Sequence, residues 1–123
     1  MSVIGFDTSN YTTSIAVSDA SGEIIANLKA PLPVKEGERG LRQSDALFAH
    51  VKNLPALADR LSEVLTKNEL LPIAVGVSSR PRDVEGSYMP CFLGGVAAAH
   101  SFAAANDLPI YEFSHQSGHI MAA

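Results

Sequence analysis

The hydrophobic positions of this chain follow two periods. Val3, Ile4 and Phe6 form a short apolar run, which predicts a buried first strand over Ser2–Phe6 running into a polar turn. From Ser14 to Asp19 apolar and polar residues alternate, as on a half-buried second strand. Ala20-Ser21-Gly22 reads as a tight turn, and Glu23 to Ala30 as a third strand. Strands joined so closely pair antiparallel. Pro31 to Gly40, with its prolines, glycines and alternating charges, reads as a loop.

The period then lengthens. Leu47, Phe48, Val51, Leu54, Leu57, Ala58, Leu61, Val64 and Leu65 recur at intervals that give one continuous apolar face to a long helix. Ser44 or Asp45 is its expected cap, Asn68 its expected end, and Pro55 an expected kink or irregular turn. Pro72 to Ser79 barely alternates, so a strand buried on both faces is expected there. A helix of small residues follows Pro90 and runs to Ala105, and its Gly94-Gly95 pair allows close packing on a sheet. Asn106 to Pro109 turns into a short strand, Ile110–Phe113, and Ser114 caps a final helix carrying His115 and His119. The order β-β-β-α-β-α-β-α predicts an α/β domain: a mixed sheet with flanking helices.

Composition narrows the function classes. The 123 residues suffice for one domain. No apolar run reaches the ~20 residues of a membrane helix, and no signal peptide is visible, so no membrane partner is expected. A single cysteine, Cys91, rules out an internal disulfide and suits a cytoplasmic location. Its plain reading is a small buried hydrophobe. A net charge of −4 argues against a broad basic surface for nucleic acid.

Three stretches carry candidate chemistry. Asp7, Thr8, Ser9 and Asn10 crowd a carboxylate, hydroxyls and backbone N–H groups at the end of the first strand, where a phosphate or cation can sit; a turn rich in turn formers explains them equally. Arg80 and Arg82 follow the central strand and can clamp an anion, or stand solvated beside Asp83 and Glu85. His115 and His119 are four apart, so on a helix they share a face and can reach one metal ion; they read equally as polar residues of a surface helix. His50 and His100 read as structural.

Four stretches together resemble one known family. They are Ile4 to Ser9 with Thr13 to Val17; Arg42 to Leu57; Ile73 to Val77 with Gly94 to Ala103; and Leu108 to Ile110 with Ser114 to Ala123. They are similar to the Kae1/TsaD/Gcp family, the tRNA threonylcarbamoyladenosine transferases formerly called O-sialoglycoprotein endopeptidases. The most specific match is the HxxGH pattern after a short strand and a small-residue helix. The resemblance implies one ribonuclease H-like lobe of the actin/sugar-kinase/Hsp70 fold, the N-terminal one, occupying residues 1–123 with the second lobe absent. It implies that His115 and His119 are metal ligands for iron or zinc. It places Asp7, Thr8, Ser9 and Asn10 on the phosphate side of ATP or a threonylcarbamoyl-adenylate. It also implies tRNA and tRNA-modification proteins as partners. A lobe of this kind is expected to be inactive alone and to self-associate through its exposed inter-lobe surface. No catalytic residue is assigned.

The chain departs from the family pattern in places. Asn10-Tyr11-Thr12 stands where the family has Cys-Asp-Glu, and Arg80-Pro81-Arg82-Asp83 replaces its Gly-Pro-Gly loop. These departures suggest a diverged member, and they leave open a non-catalytic paralogue that serves as a dimerisation or scaffold partner. The metallopeptidase reading of the old family label is weaker. Residue 116 is Gln, so the carboxylate of an HExxH motif is missing.

Overall fold

The computed structural model describes residues 1–9, 11–33, 43–80 and 90–114. Their elements are β1 (Ser2–Asp7), β2 (Thr12–Asp19), β3 (Ile24–Pro31), α1 (Gln43–Lys67), β4 (Pro72–Arg80), α2 (Phe92–Ala105) and β5 (Ile110–Ser114). The strands form one sheet in the order β3-β2-β1-β4-β5. β1 lies at its centre, antiparallel to β2 and parallel to β4. β5 continues the parallel half beside β4.

The alternation of β1 and β2 fixes which face is buried. Ile4 and Phe6 are register neighbours of Val17 and Ile15 on one side and of Val75 and Val77 on the other. All six are essentially inaccessible to solvent. Leu57 and Leu61 of α1 and Ala99 and Ala103 of α2 join them in the main core. Both helices therefore cover the same sheet face. Burying one such leucine contributes about 1.5–3 kcal/mol.

The opposite face is less covered. Val3 is 38% exposed, and Gly5, Ala74 and Gly76 are half-buried. The expectation that β4 is buried on both faces is thus corrected. Its residues on that side are small, and the ring of Phe113 lies against Gly76: a methyl on Gly76 would stand 3.2 Å from the ring edge.

Local chemistry sets the boundaries. At the β2–β3 hairpin, Asp19 Oδ1 accepts from the Ser21 amide, the Ser21 hydroxyl and the Glu23 amide. Gly22 takes φ +89°, which a side chain would resist. α1 begins at Gln43, so Ser44 and Asp45 lie inside its first turn instead of capping it. Pro55 lies inside α1, with its ring on the exposed side of the helix. Asn68 closes the helix, donating through Nδ2 to the Val64 carbonyl. Ser114 is the last residue of β5, in register with Arg80. The helix expected after it lies outside the described residues.

Candidate functional site

Because β1, β4 and β5 run parallel, their C-terminal ends share one edge of the sheet. That edge carries Asp7, then Thr8 and Ser9, from β1; Ser78, Ser79 and Arg80 from β4; and Ser114 from β5. Ligands of open α/β sheets bind at this kind of edge.

At the end of β1, Asp7 Oδ1 accepts a hydrogen bond of 2.8 Å from the Ser9 amide, which bends the chain into a tight turn. Thr8 between them is fully buried. Its hydroxyl donates to the Cys91 carbonyl at 2.8 Å and accepts from the Gly95 amide at 2.9 Å. The opening turn of α2 is thereby fastened against the end of β1. Asp7 and Ser9 are half-buried.

Cys91, just before α2, is buried with its Sγ 4.0 Å from the Ser9 carbonyl. Its amide donates to Gln43 Oε1 at the start of α1. Burial pushes the thiol above its ordinary range, and the nearby negative charge of Asp7 adds to the effect. A thiol so placed is protonated and unreactive at neutral pH. That agrees with the reading of Cys91 as a small buried hydrophobe.

On the helix-covered face, Thr13 at the start of β2 and His50 of α1 are both fully buried, with Oγ1 and Nδ1 2.7 Å apart. Asn53 Nδ2 donates to the same Thr13 oxygen at 3.0 Å. The turn between β1 and β2 is thus anchored on α2 at one end, through Thr8, and on α1 at the other, through Thr13. His50 is structural, as the sequence suggests. His100 of α2 is partly exposed and pairs with Glu112 of β5 at 2.8 Å.

Arg80 is half-buried and donates to Ser79 Oγ at 2.8 Å. In register it lies beside Ser114, the residue immediately before His115. Asn10, Arg82, His115 and His119 lie outside the described residues. Among the described residues no three His, Cys, Asp or Glu side chains converge on a metal position. Among the described residues no helix is long and apolar enough to cross a membrane.

A further concavity lies away from this edge. A groove of about 600 Å³ opens between α1 and α2, with Leu47, Val51, Leu54, Leu93 and Phe102 among its walls. Among its described lining residues Ser101 carries the only polar side chain, with no acid or base beside it. It is a surface for apolar contact.

Sequence reasoning missed the partners of Thr8 and Thr13. The Gly94-Gly95 pair was the available signal: a methyl on Gly95 would come within 2.9 Å of Thr8 Oγ1. No sequence signal marks Gln43 as a partner of Cys91.

No family model matches the chain. Curated relatives do. A tRNA N6-adenosine threonylcarbamoyltransferase of Streptococcus sanguinis is 32% identical over 124 residues, covering 98% of this chain and 35% of that protein. The protein of the same name from Streptococcus suis is 30% identical over 129 residues with the same coverage. Among solved structures, YeaZ from Pseudomonas aeruginosa superposes with a TM-score of 0.62 at 15% identity, covering 92% of this chain and 43% of that one. Thermus thermophilus RuvC superposes with a TM-score of 0.51 at 16% identity, covering 93% and 64%. These two share the chain's fold, a mixed five-stranded sheet with helices of the ribonuclease H-like kind. The chain is a homologue of the tRNA N6-adenosine threonylcarbamoyltransferases along 98% of its own length, spanning about a third of theirs.

Proposed function

We propose that this chain is the N-terminal, metal- and nucleotide-binding lobe of a protein that transfers a threonylcarbamoyl group to a tRNA adenosine. One observation carries the reading: the shared edge of the parallel strands. Arg80 and Ser114 are register partners there, so the chain leading into His115 emerges beside Arg80 and on the same edge as the Asp7–Ser9 turn. The names of the relatives supply the reaction class. His115 and His119 would hold iron or zinc, whose contribution when bound is Lewis-acid polarisation and orientation. Two imidazoles suit either metal and leave positions for other donors. The turn of Asp7, Thr8, Ser9 and Asn10 would lie on the phosphate side of ATP or a threonylcarbamoyl-adenylate, with Arg80 and Arg82 as anion contacts. Partners would be tRNA and tRNA-modification proteins, in the cytoplasm.

Calorimetric titration of zinc into the chain tests the metal assignment. Weak binding that disappears when His115 and His119 are both changed to Ala is expected. Tight binding that survives both changes overturns it. The transfer reaction is tested with the protein that contains this lobe, by following labelled threonine into tRNA. Absence of incorporation with ATP, bicarbonate, the adenylate-forming enzyme and iron present would reject that activity.

The α1/α2 groove favours a second reading, a scaffold partner. Val51 is 51% and Leu93 42% exposed on its rim, more apolar surface than a solitary helix pair needs to show. Sedimentation of the chain and of its Leu93→Asp variant separates the readings. Association abolished by the variant supports a scaffold role, and a monomer at all concentrations removes support for self-association.

A further inference from the structure

We infer that Thr8 is a positioning residue: its hydroxyl clamps the turn at the end of β1 onto the opening turn of α2, and Gly95 is glycine to admit that clamp. The hydroxyl reaches two groups four residues apart in sequence, the Cys91 carbonyl and the Gly95 amide. That is the spacing of a helical hydrogen bond, so Thr8 grips both groups of the first turn at once. A hydroxyl has one proton to give. Thr8 donates it to Cys91, and its side chain is wholly inaccessible. It has no proton left for a ligand. A methyl at Gly95 would meet Thr8 Oγ1 at 2.9 Å, Cγ2 at 3.4 Å and the Thr8 amide nitrogen at 3.5 Å. Side chain and backbone of Thr8 both fill the space that any residue other than glycine would claim.

The clamp deepens the proposed phosphate-side reading of the turn and rests on it in one respect only, that the turn faces a ligand. Of its residues, Thr8 acts through the scaffold. It holds Asp7 and Ser9 at a fixed distance from the α2 amino end, and the second anchor, Thr13 on His50, fixes the far side of the turn.

Two substitutions separate a clamp from simple filling of space. Thr8→Val keeps the shape and loses the hydroxyl; Thr8→Ser keeps the hydroxyl and loses a methyl. In the 123-residue chain, amide hydrogen exchange at Gly95 should be close to wild type in Thr8→Ser. It should be about ten-fold faster in Thr8→Val, the loss expected for one hydrogen bond, with exchange across Ala99–Ala103 unchanged. Packing alone reverses the ranking, and that result, or equal exchange in all three chains, overturns the inference. Should Thr8→Val not fold, a double-mutant cycle decides. Gly95→Ala should lower the urea midpoint in the wild-type chain and do so much less in a Thr8→Ala background, where only the residue-8 amide nitrogen, at ordinary contact distance, still faces the methyl. Additive effects refute the clamp. ATP titration of the same chains tests the site reading separately: no binding by the wild-type chain sinks that reading and leaves the exchange result standing.

Discussion

Thr13 and His50 meet with Oγ1 and Nδ1 2.7 Å apart, 37 residues apart in sequence and without exposed surface on either. The bond ties the first turn of the sheet to the second turn of α1. His50→Leu should destabilise the chain by about 1–3 kcal/mol, because it strips a partner from a buried hydroxyl. Thr13→Val should cost a similar amount. The double variant should cost clearly less than the sum, since both remove one interaction. Urea denaturation of the four chains checks this, and strict additivity would contradict the pairing.

The raised Cys91 thiol makes two measurable claims. Iodoacetamide should modify the folded chain far more slowly than the chain in urea. Asp7→Asn, which removes a charge that opposes thiolate while keeping an oxygen for the Ser9 amide, should speed modification at pH 8. The fold favours the neutral thiol. Its contribution to stability is therefore complete below the ordinary thiol value of about 8.5 and is withdrawn as pH rises through the folded value. Thermal midpoints at pH 7.5 and pH 10 should fall further apart in the wild type than in Cys91→Ala.

Asp19 behaves oppositely. The Ser21 hydroxyl first, with the Glu23, Ser21 and Gly22 amides adding to it, holds its carboxyl below the usual carboxylate range against the opposing effect of desolvation. The stabilisation is present above the unfolded carboxyl value of about 3.9 and is lost as pH falls through the folded one. Asp19→Asn should flatten this part of the acid unfolding curve. The effect is small because solvent screens a carboxylate in a surface turn. An unchanged acid limb would show that the hairpin does not depend on the carboxylate.

His100 and Glu112 form an exposed pair, 48% and 41% accessible, so the contact should matter little. His100→Ala is expected to shift stability by no more than ~1 kcal/mol, and by less in high salt. A larger loss, insensitive to salt, would point to a role beyond the pair.

How much of this was legible in the sequence depends on the range of the interactions. Alternation along Ser14–Asp19 and the 3–4 spacing from Leu47 to Leu65 are local, and they gave the second strand and the long helix, with ends one or two residues off. The antiparallel hairpins and the turn at Gly22 were equally local. The partners of Thr8, Cys91 and Gly95, lie 83 and 87 residues away in sequence, beyond the reach of any local pattern. Strand Pro72–Arg80 looked buried on both faces because apolar content cannot say that one side carries small residues under a single ring. Of the candidate site, Asp7, Thr8, Ser9, Arg80 and Ser114 fall on one edge, a grouping that only the parallel register reveals.

The central position of β1 also has a temporal consequence. Its antiparallel partner is reached through a turn, so the β1–β2–β3 meander closes only short loops. Its parallel partner begins at Pro72, paired with Ser2 across the whole of α1. Closing that long loop carries a larger entropic cost and delays such contacts. The meander should therefore assemble first and serve as the template on which β4, α2 and β5 dock. The edge that gathers Asp7, Arg80 and Ser114 would then be the last part of the sheet to come into existence, complete only when the chain has nearly finished folding.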